Sequence, residues 1–565
     1  MTPLFTFIAS CMKNTIKTLR SYIFGDFYIN CTIITMDDDV PFANSMFVHH
    51  GKIKSIGDCN CVAKTIYKQT VINDMHGNTI VPGFIESHTH PDVAAFMHDF
   101  VDLSGFTHSS NTAVWEHLKC AVKKYNPGEW IICKGLDHML INDLQTPTIQ
   151  FLDSIAPHNP VVIVSQVLHS YWANSMAFKL ANITNSTPNP TTGSFYERNI
   201  DGALTGLIVE QDAFLPIRIE MMKAFSKWKI IKNTYKVMNE YIANGNTSIV
   251  TAGITTQDGK ILKLYKLIAM LPFRILKICP RNFVYIDKLS EKFLPKHRTF
   301  NNFFNIIGVK MWYDGSPYVG SMYMSHPYMD SSLTKELHVN HCNNKHIIDK
   351  SDMKLLVEKY ITNGWKLLVH TQGDLAISET LDAFASVKNN NPLLRHRLEH
   401  CMLLNDTLIN KMNDLQITPS FHINHIYYYG HALPFIIGNN LTSTIFPINS
   451  YAKQTNSKYS LHSDCPMFES NPLSLIATAV SRKTKIGNNI IGKNECVSIY
   501  DALKSMTIMA AWQLNMDHCI GSLKYGKFAD FVVLNINPLS LENNPDDIRN
   551  IKILNVYING SIAKN

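Results

Sequence analysis

Four histidines and an aspartate of this 565-residue chain stand where they could share a metal site. His88 and His90 lie one residue apart in VPGFIESHTHPD, His370 in KLLVHTQGD, His400 in HRLEHC and Asp464 in KYSLHSD. In an extended segment residues i and i+2 point to one side, so His88 and His90 can reach a single ion. Neutral imidazole and carboxylate suit Zn2+, and an open coordination position leaves room for water. Each residue alone carries little weight, because with 24 histidines in the chain a histidine at any one strand end is more often hydrogen-bonded or solvated. Their joint placement carries more.

That placement depends on the elements that hold them. Between the two ends of the chain, short β-branched runs such as NTSIVTAG, FNIIGVKMWYDG and GWKLLVHTQGD alternate with segments such as SDMKLLVEKYITNG, whose apolar residues recur every three or four positions. Strands alternating with helices imply parallel βα units. With TIVPGFIESHTH as the first, eight strands are predicted near 79–86, 247–252, 272–279, 306–313, 366–370, 395–399, 416–421 and 459–463. Eight closes a (β/α)8 TIM-type barrel, whose functional groups collect just past the C-terminal ends of its strands. His88, His90, His370, His400 and Asp464 all fall at such ends, and Lys310 falls within the fourth strand.

The barrel is expected over 79–519. The interval 91–225 is too long for a βα loop and reads as a subdomain inserted after the first strand. Both ends are rich in short alternating strands with turn signals. Residues 23–78 and 520–565 therefore read as one composite β-sandwich, since either piece alone would leave an unpaired edge and a bare apolar face.

Composition supports an enzyme-sized globular body: 45% of residues are hydrophobic and 17% charged, which argues against disorder. The formal charge of +7 is spread among acids without a basic block, so nucleic acid is not implied. Twelve cysteines without repeated spacing read as free thiols in a reducing compartment, which points to the cytoplasm. Residues 1–22 read as a helical or mobile extension and make a poor signal peptide, since the basic residues follow the apolar stretch. No run reaches the roughly 20 apolar residues a membrane span needs.

In this order, these motifs resemble the amidohydrolase superfamily of metal-dependent hydrolases. VPGFIESHTHPD looks like its first-strand motif and GSLKYGKFADFVVL like its return into the small sheet domain. HSYWANSMAF, GVKMWYDGS, VHTQGDLAI and RLEHCMLL look like the amidohydrolase family 3 branch, which includes N-substituted formamide deformylases. The resemblance implies that His88 and His90 bind a more buried metal and that His370 and His400 hold a second. Asp464 would be both ligand and proton shuttle, and Lys310 would match a carboxylated lysine bridging two ions. A homodimer is likewise an implication of the family. Two departures stand out: Glu86 occupies a position usually held by Asp, and the segment after Asp314 lacks an arginine often found there.

The expected function is hydrolysis of a non-peptide C–N bond, amide or N-formyl, in a small molecule, with one or two zinc ions. A mononuclear deaminase or cyclic C–N hydrolase on the same barrel is the nearest alternative, and an inactive binding or scaffold relative is a third. His169, Trp172, Asn174 and Glu210 of the insertion are candidates for substrate contact, although a capping turn with Trp172 packed in a core fits the same stretch. His326, His422 and His425 are expected to support the barrel mouth instead of reacting.

Overall fold

The computed structural model describes residues 23–564 apart from 142, 191–193, 257, 271–279, 297–300, 338, 340–345 and 388–390. The chain divides into two compact units. One runs up to Pro91, over Met238–Thr334 and from Asn340 onward; the other holds Asp92–Val237 and Lys335–Val339.

The first unit contains eight parallel strands: β1 (Phe84–Thr89), β2 (Asn246–Ile254), β3 (Arg281–Asp287), β4 (Phe304–Trp312), β5 (Lys366–Thr371), β6 (Arg397–His400), β7 (Thr418–Phe421) and β8 (Ser460–Leu461). They pair in chain order from β1 to β8. A parallel bridge between Thr89 and Cys465, with the His90 N–H donating to the Cys465 carbonyl at 2.8 Å, joins the last strand to the first. Strands covered on both faces should be buried along their length rather than at alternate residues. β2, NTSIVTAGI, fits, being buried at every position but Gly253. Ile85, Val250, Phe283, Tyr285 and Leu368 pack with Ala510 and Ala511 in one core cluster of this unit.

Two strand predictions need correction. The run 79–86, read as one barrel strand, is two elements. Thr79–Pro82 belongs to a different sheet, and the barrel strand begins at Phe84. Gly83 makes the transition where a Cβ would lie 2.1 Å from Thr247 Oγ1, so only glycine passes without displacing β2. The predicted strand 272–279 lies outside the described residues, and the third barrel strand is Arg281–Asp287. Its polar start, Arg281 and Asn282, sets it apart from the apolar runs of its neighbours. Arg281 is fully buried, yet its Nε and Nη2 donate to Asp530 at 2.7 and 3.0 Å, and Asn282 Oδ1 accepts from Thr251 at 2.8 Å.

This unit has two further sheets, the first built from residues 26–74 and the second from strands of both ends of the chain. One orders Lys52–Gly57, Ser45–His49, Asp26–Ile29 and Val71–Asp74. The other orders Ser561–Lys564, Ile553–Ile558, Phe531–Leu534, Thr79–Pro82, Thr32–Ile34 and Phe42–Ala43. Tyr28, Ile33, Met46, Val48, Ile80, Phe531 and Val533 form a common core, so early and late strands bury one another's apolar faces.

The second unit has a six-stranded sheet ordered Phe195–Arg198, Leu204–Val209, Ser170–Ala173, Val161–Ser165, Ile131–Leu136 and Val101–Asp102. Two hydrophobic clusters pack on it, one around Tyr171, Phe178 and Phe214 and the other around Trp115, Leu118 and Trp172.

Candidate metal centre

Alternation along β1 sends Glu86, His88 and, just beyond its end, His90 to one side. Glu86 Oε2 accepts from the hydroxyls of Ser463 and Ser470, each at 2.7 Å, and Oε1 from the Ser463 N–H at 3.2 Å. Burial raises its pKa to about 7 against these donors. The carboxyl thus ties β1 to the segment carrying Asp464. This gives Glu86 a structural task.

β6 works differently. Arg397 and Glu399 are two apart and share a side; alternation would turn His400 away from them. The left-handed backbone at His400 and Cys401, with φ of 70° and 49°, breaks the alternation. Asp464, at φ 56°, is a third non-glycine residue in this region, and such strain gathers at functional sites.

The result is a cluster of imidazoles around one carboxylate. Asp464 Oδ1 lies 3.2 Å from His90 Nε2 and 3.5 Å from His88 Nε2, and Oδ2 lies 3.9 Å from His422 Nδ1. His400 Nδ1 is 3.2 Å from His462 Nε2. Three donor groups have ligand atoms within 4.8 Å of one another: His88, His90 and Asp464; His400, His422 and Asp464; and His88, His400 and His462. The side chains of His88, His400, His422 and His462 are buried. His90 keeps 22% of its side-chain surface and Asp464 17%, so the cluster is open on their side.

Tautomers test whether these residues fit a cation. His88 Nδ1 lies 2.5 Å from Glu399 Oε2, so Nδ1 donates and the lone pair is on Nε2. His422 Nε2 donates to the Ser463 carbonyl at 2.9 Å, leaving its lone pair on Nδ1. Burial holds His88 and His400 neutral, well below the ordinary histidine range, and lowers His422 to about 4. For Asp464, burial pushes upward, but the hydrogen bond from His90 and the surrounding imidazoles outweigh it and hold the carboxyl well below the usual carboxylate range. Two lone pairs therefore face an ionised carboxylate with no proton of their own to share. His400 Nε2 is also buried without a hydrogen-bond partner among the described residues. Such a donor set fits a divalent cation.

Lys310 is fully buried, with Nζ 3.2 Å from His88 Nε2. Burial lowers its pKa to about 8 in spite of Glu399 and Asp464, so the neutral amine is accessible near physiological pH. His370 packs its ring 4.2 Å from that of His400, with Nε2 3.4 Å from the Gly315 carbonyl and 3.8 Å from Asp314 Oδ1. It borders the cluster but belongs to none of the three donor groups. Asp314 accepts backbone N–H groups of Gln372, Gly373 and Tyr323 at 2.9, 2.9 and 3.1 Å. It thereby anchors the turn after β5.

The insertion candidates divide. Asn174 caps a helix: its Oδ1 accepts from Val161 and Ala177, and its amide donates to the Asn159 carbonyl, so the side chain is consumed internally. Trp172 is 5% exposed within a hydrophobic cluster. His169 and Glu210 are part-exposed and paired, Nδ1 to Oε2 at 3.0 Å. His326 is exposed and pairs with Ser325.

The family model described as amidohydrolase family matches residues 71–563. The chain belongs to the amidohydrolase family. Within it the family 3 branch is the one matched. The N-substituted formamide deformylase of Arthrobacter pascens is 26% identical over 547 residues, which are 94% of this chain and 97% of that one. Protein LONG AFTER FAR-RED 3 of Arabidopsis thaliana is 27% identical over 563 residues, 97% and 93% of the two chains. An uncharacterized metal-dependent hydrolase from Pyrococcus horikoshii shares the fold with a TM-score of 0.71 and 22% identity, over 92% of this chain and 98% of that one. Among the described residues no helix of this amidohydrolase is long and apolar enough to cross a membrane.

His462 and Glu399 are not among the residues expected at the site, and His422 is expected only to support the barrel mouth. The signal for His462 was available, because His462 and Asp464 repeat the two-residue spacing of His88 and His90. Glu399 had no such signal, since its importance depends on a contact with a residue 311 positions away.

Proposed function

We propose that this amidohydrolase is a zinc-dependent hydrolase of non-peptide C–N bonds, of amide or N-formyl type, acting on a small molecule. The observation that carries the reading is the gathering of His88, His90, His400 and His422 around the two oxygens of Asp464, with ligand atoms of each donor group within 4.8 Å of one another, beside an opening at His90 and Asp464. His88, His90 and Asp464 would hold one divalent ion. His400 and His370, with Lys310 carboxylated on its neutral amine, would hold a second. A bound divalent ion supplies a Lewis acid that acidifies water and polarises a carbonyl.

The chain's own residues do the rest. Glu399 and the Ser463 carbonyl fix the tautomers of His88 and His422, so that lone pairs and not N–H groups face the reaction. Asp464 takes the proton of the attacking water on Oδ2, where the Nδ1 lone pair of His422 can share it. Asp464 then delivers that proton to the departing nitrogen, without which an amine leaves poorly. The buried walls formed by His400, His462 and Lys310 keep bulk water to the His90 and Asp464 edge. The similarity to an N-substituted formamide deformylase supports the choice of bond.

A panel of N-substituted formamides, N-acyl amino compounds and aminated heterocycles, assayed with zinc-loaded and chelator-stripped protein, tests this proposal. Turnover of an amide or formamide, lost on chelation and restored by zinc, is the expected result. Hydrolysis confined to the heterocycles, with one ion per chain and Lys310 unmodified, would instead establish a deaminase.

A further inference from the structure

The Arg397–Glu399 pair is an ionic element that touches the cluster, and Glu399 lies one residue before His400. Both side chains are fully buried. Arg397 donates through Nε to Glu399 Oε1 at 2.9 Å and through Nη2 to Oε2 at 3.0 Å, a two-point grip that fixes the carboxylate plane. Nη2 also donates to the carbonyl of Ser87 at 2.7 Å, immediately before His88. Glu399 Oε2 in turn meets His88 Nδ1 at 2.5 Å.

From this chain of contacts we infer that Glu399, locked by Arg397, is the positioning residue of the metal centre: it sets the tautomer and ring orientation of His88 and makes Nε2 a stronger donor. The argument is geometric. A carboxylate can only accept from Nδ1, so it excludes the tautomer in which Nε2 carries the proton and turns a useless N–H toward Asp464. Arg397 grips both the carboxylate and the backbone beside His88, so ring and strand are held by one guanidinium. A carboxylate behind a ligating histidine also raises its basicity, and loss of such a partner typically costs about 10–100-fold in metal affinity. The inference rests on the proposed assignment of His88 as a metal ligand.

Two readouts test it. In metal-free protein, 15N NMR of the imidazoles should show His88 as the Nδ1–H tautomer in the parent chain and a mixed or reversed tautomer in Glu399→Gln. In Co2+ titrations followed by the visible spectrum, Glu399→Gln should bind about 10–100-fold more weakly with an altered spectrum, and Glu399→Asp should recover part of the loss. Should Glu399→Gln fail to fold with the Arg397 charge left unpaired, the double variant Arg397→Met/Glu399→Gln removes both charges and serves the same measurements. Parent-like tautomer, affinity and spectrum in the folded variant would overturn the positioning role alone. A parent chain that binds no Co2+ at the cluster would overturn the metal reading and the ligand-positioning claim together.

Discussion

Asp464→Asn is expected to lower kcat by about 10²–10⁴-fold, the usual contribution of a positioned acid–base group, while the protein stays folded and keeps most of its metal. Asparagine is the best probe because it matches aspartate in shape and, like it, tolerates the left-handed backbone found at residue 464 (φ 56°). One amide oxygen can still face His88 and His90, whose Nε2 atoms lie 3.5 and 3.2 Å from Oδ1. What asparagine cannot do is take up a proton. Steady-state kinetics with the substrate found in the panel, alongside a metal count on the same sample, separates the two effects. A parent-like kcat would remove Asp464 from the chemistry, and loss of metal with loss of rate would make it chiefly a ligand.

His88→Ala should have the larger effect on the metal. It removes the donor at the bottom of the site and leaves only His90 and Asp464 from that group, so metal affinity should fall by more than the roughly 10–100-fold expected for losing a supporting contact. Turnover should fall with it, by at least about 100-fold at fixed zinc. His326→Ala is the control: an exposed histidine that pairs with Ser325 should leave affinity and rate unchanged. Isothermal titration with zinc of the three stripped proteins checks the series. An unchanged affinity in His88→Ala would move the ion to His400, His422 and Asp464, the donor group without His88.

Much of the fold was legible because the signals are local. Parallel barrel strands are apolar on both faces, so β2, β4 and β5 announced themselves as β-branched runs between helical periods. β3 did not. It begins with Arg281 and Asn282, which can be buried only because Asp530, 249 residues away, neutralises the arginine. The boundary at Gly83 was equally hidden, because one apolar run feeds two sheets and the switch is set by Thr247 from another strand.

The site followed the same division. His88, His90, His400 and Asp464 were readable from strand-end position, and the structure gathers them. His370 was readable in the same way but stands at the edge of the cluster, turned toward Gly315 and Asp314. Left-handed residues at His400 and Asp464 let side chains join that simple alternation would have scattered, and nothing in the local pattern announces such a break. Trp172 and Asn174 looked like recognition groups because aromatic and amide side chains serve both purposes; burial and hydrogen bonding put them to work inside the insertion.

The most direct test of a metal centre at His88, His90 and Asp464 is an anomalous-difference map at the zinc edge from crystals of the zinc-loaded protein. The account predicts a peak about 2.0–2.2 Å from His88 Nε2, His90 Nε2 and an oxygen of Asp464, the ordinary zinc distances for nitrogen and oxygen ligands. A map without density at that position, in crystals whose zinc sits elsewhere, would contradict it.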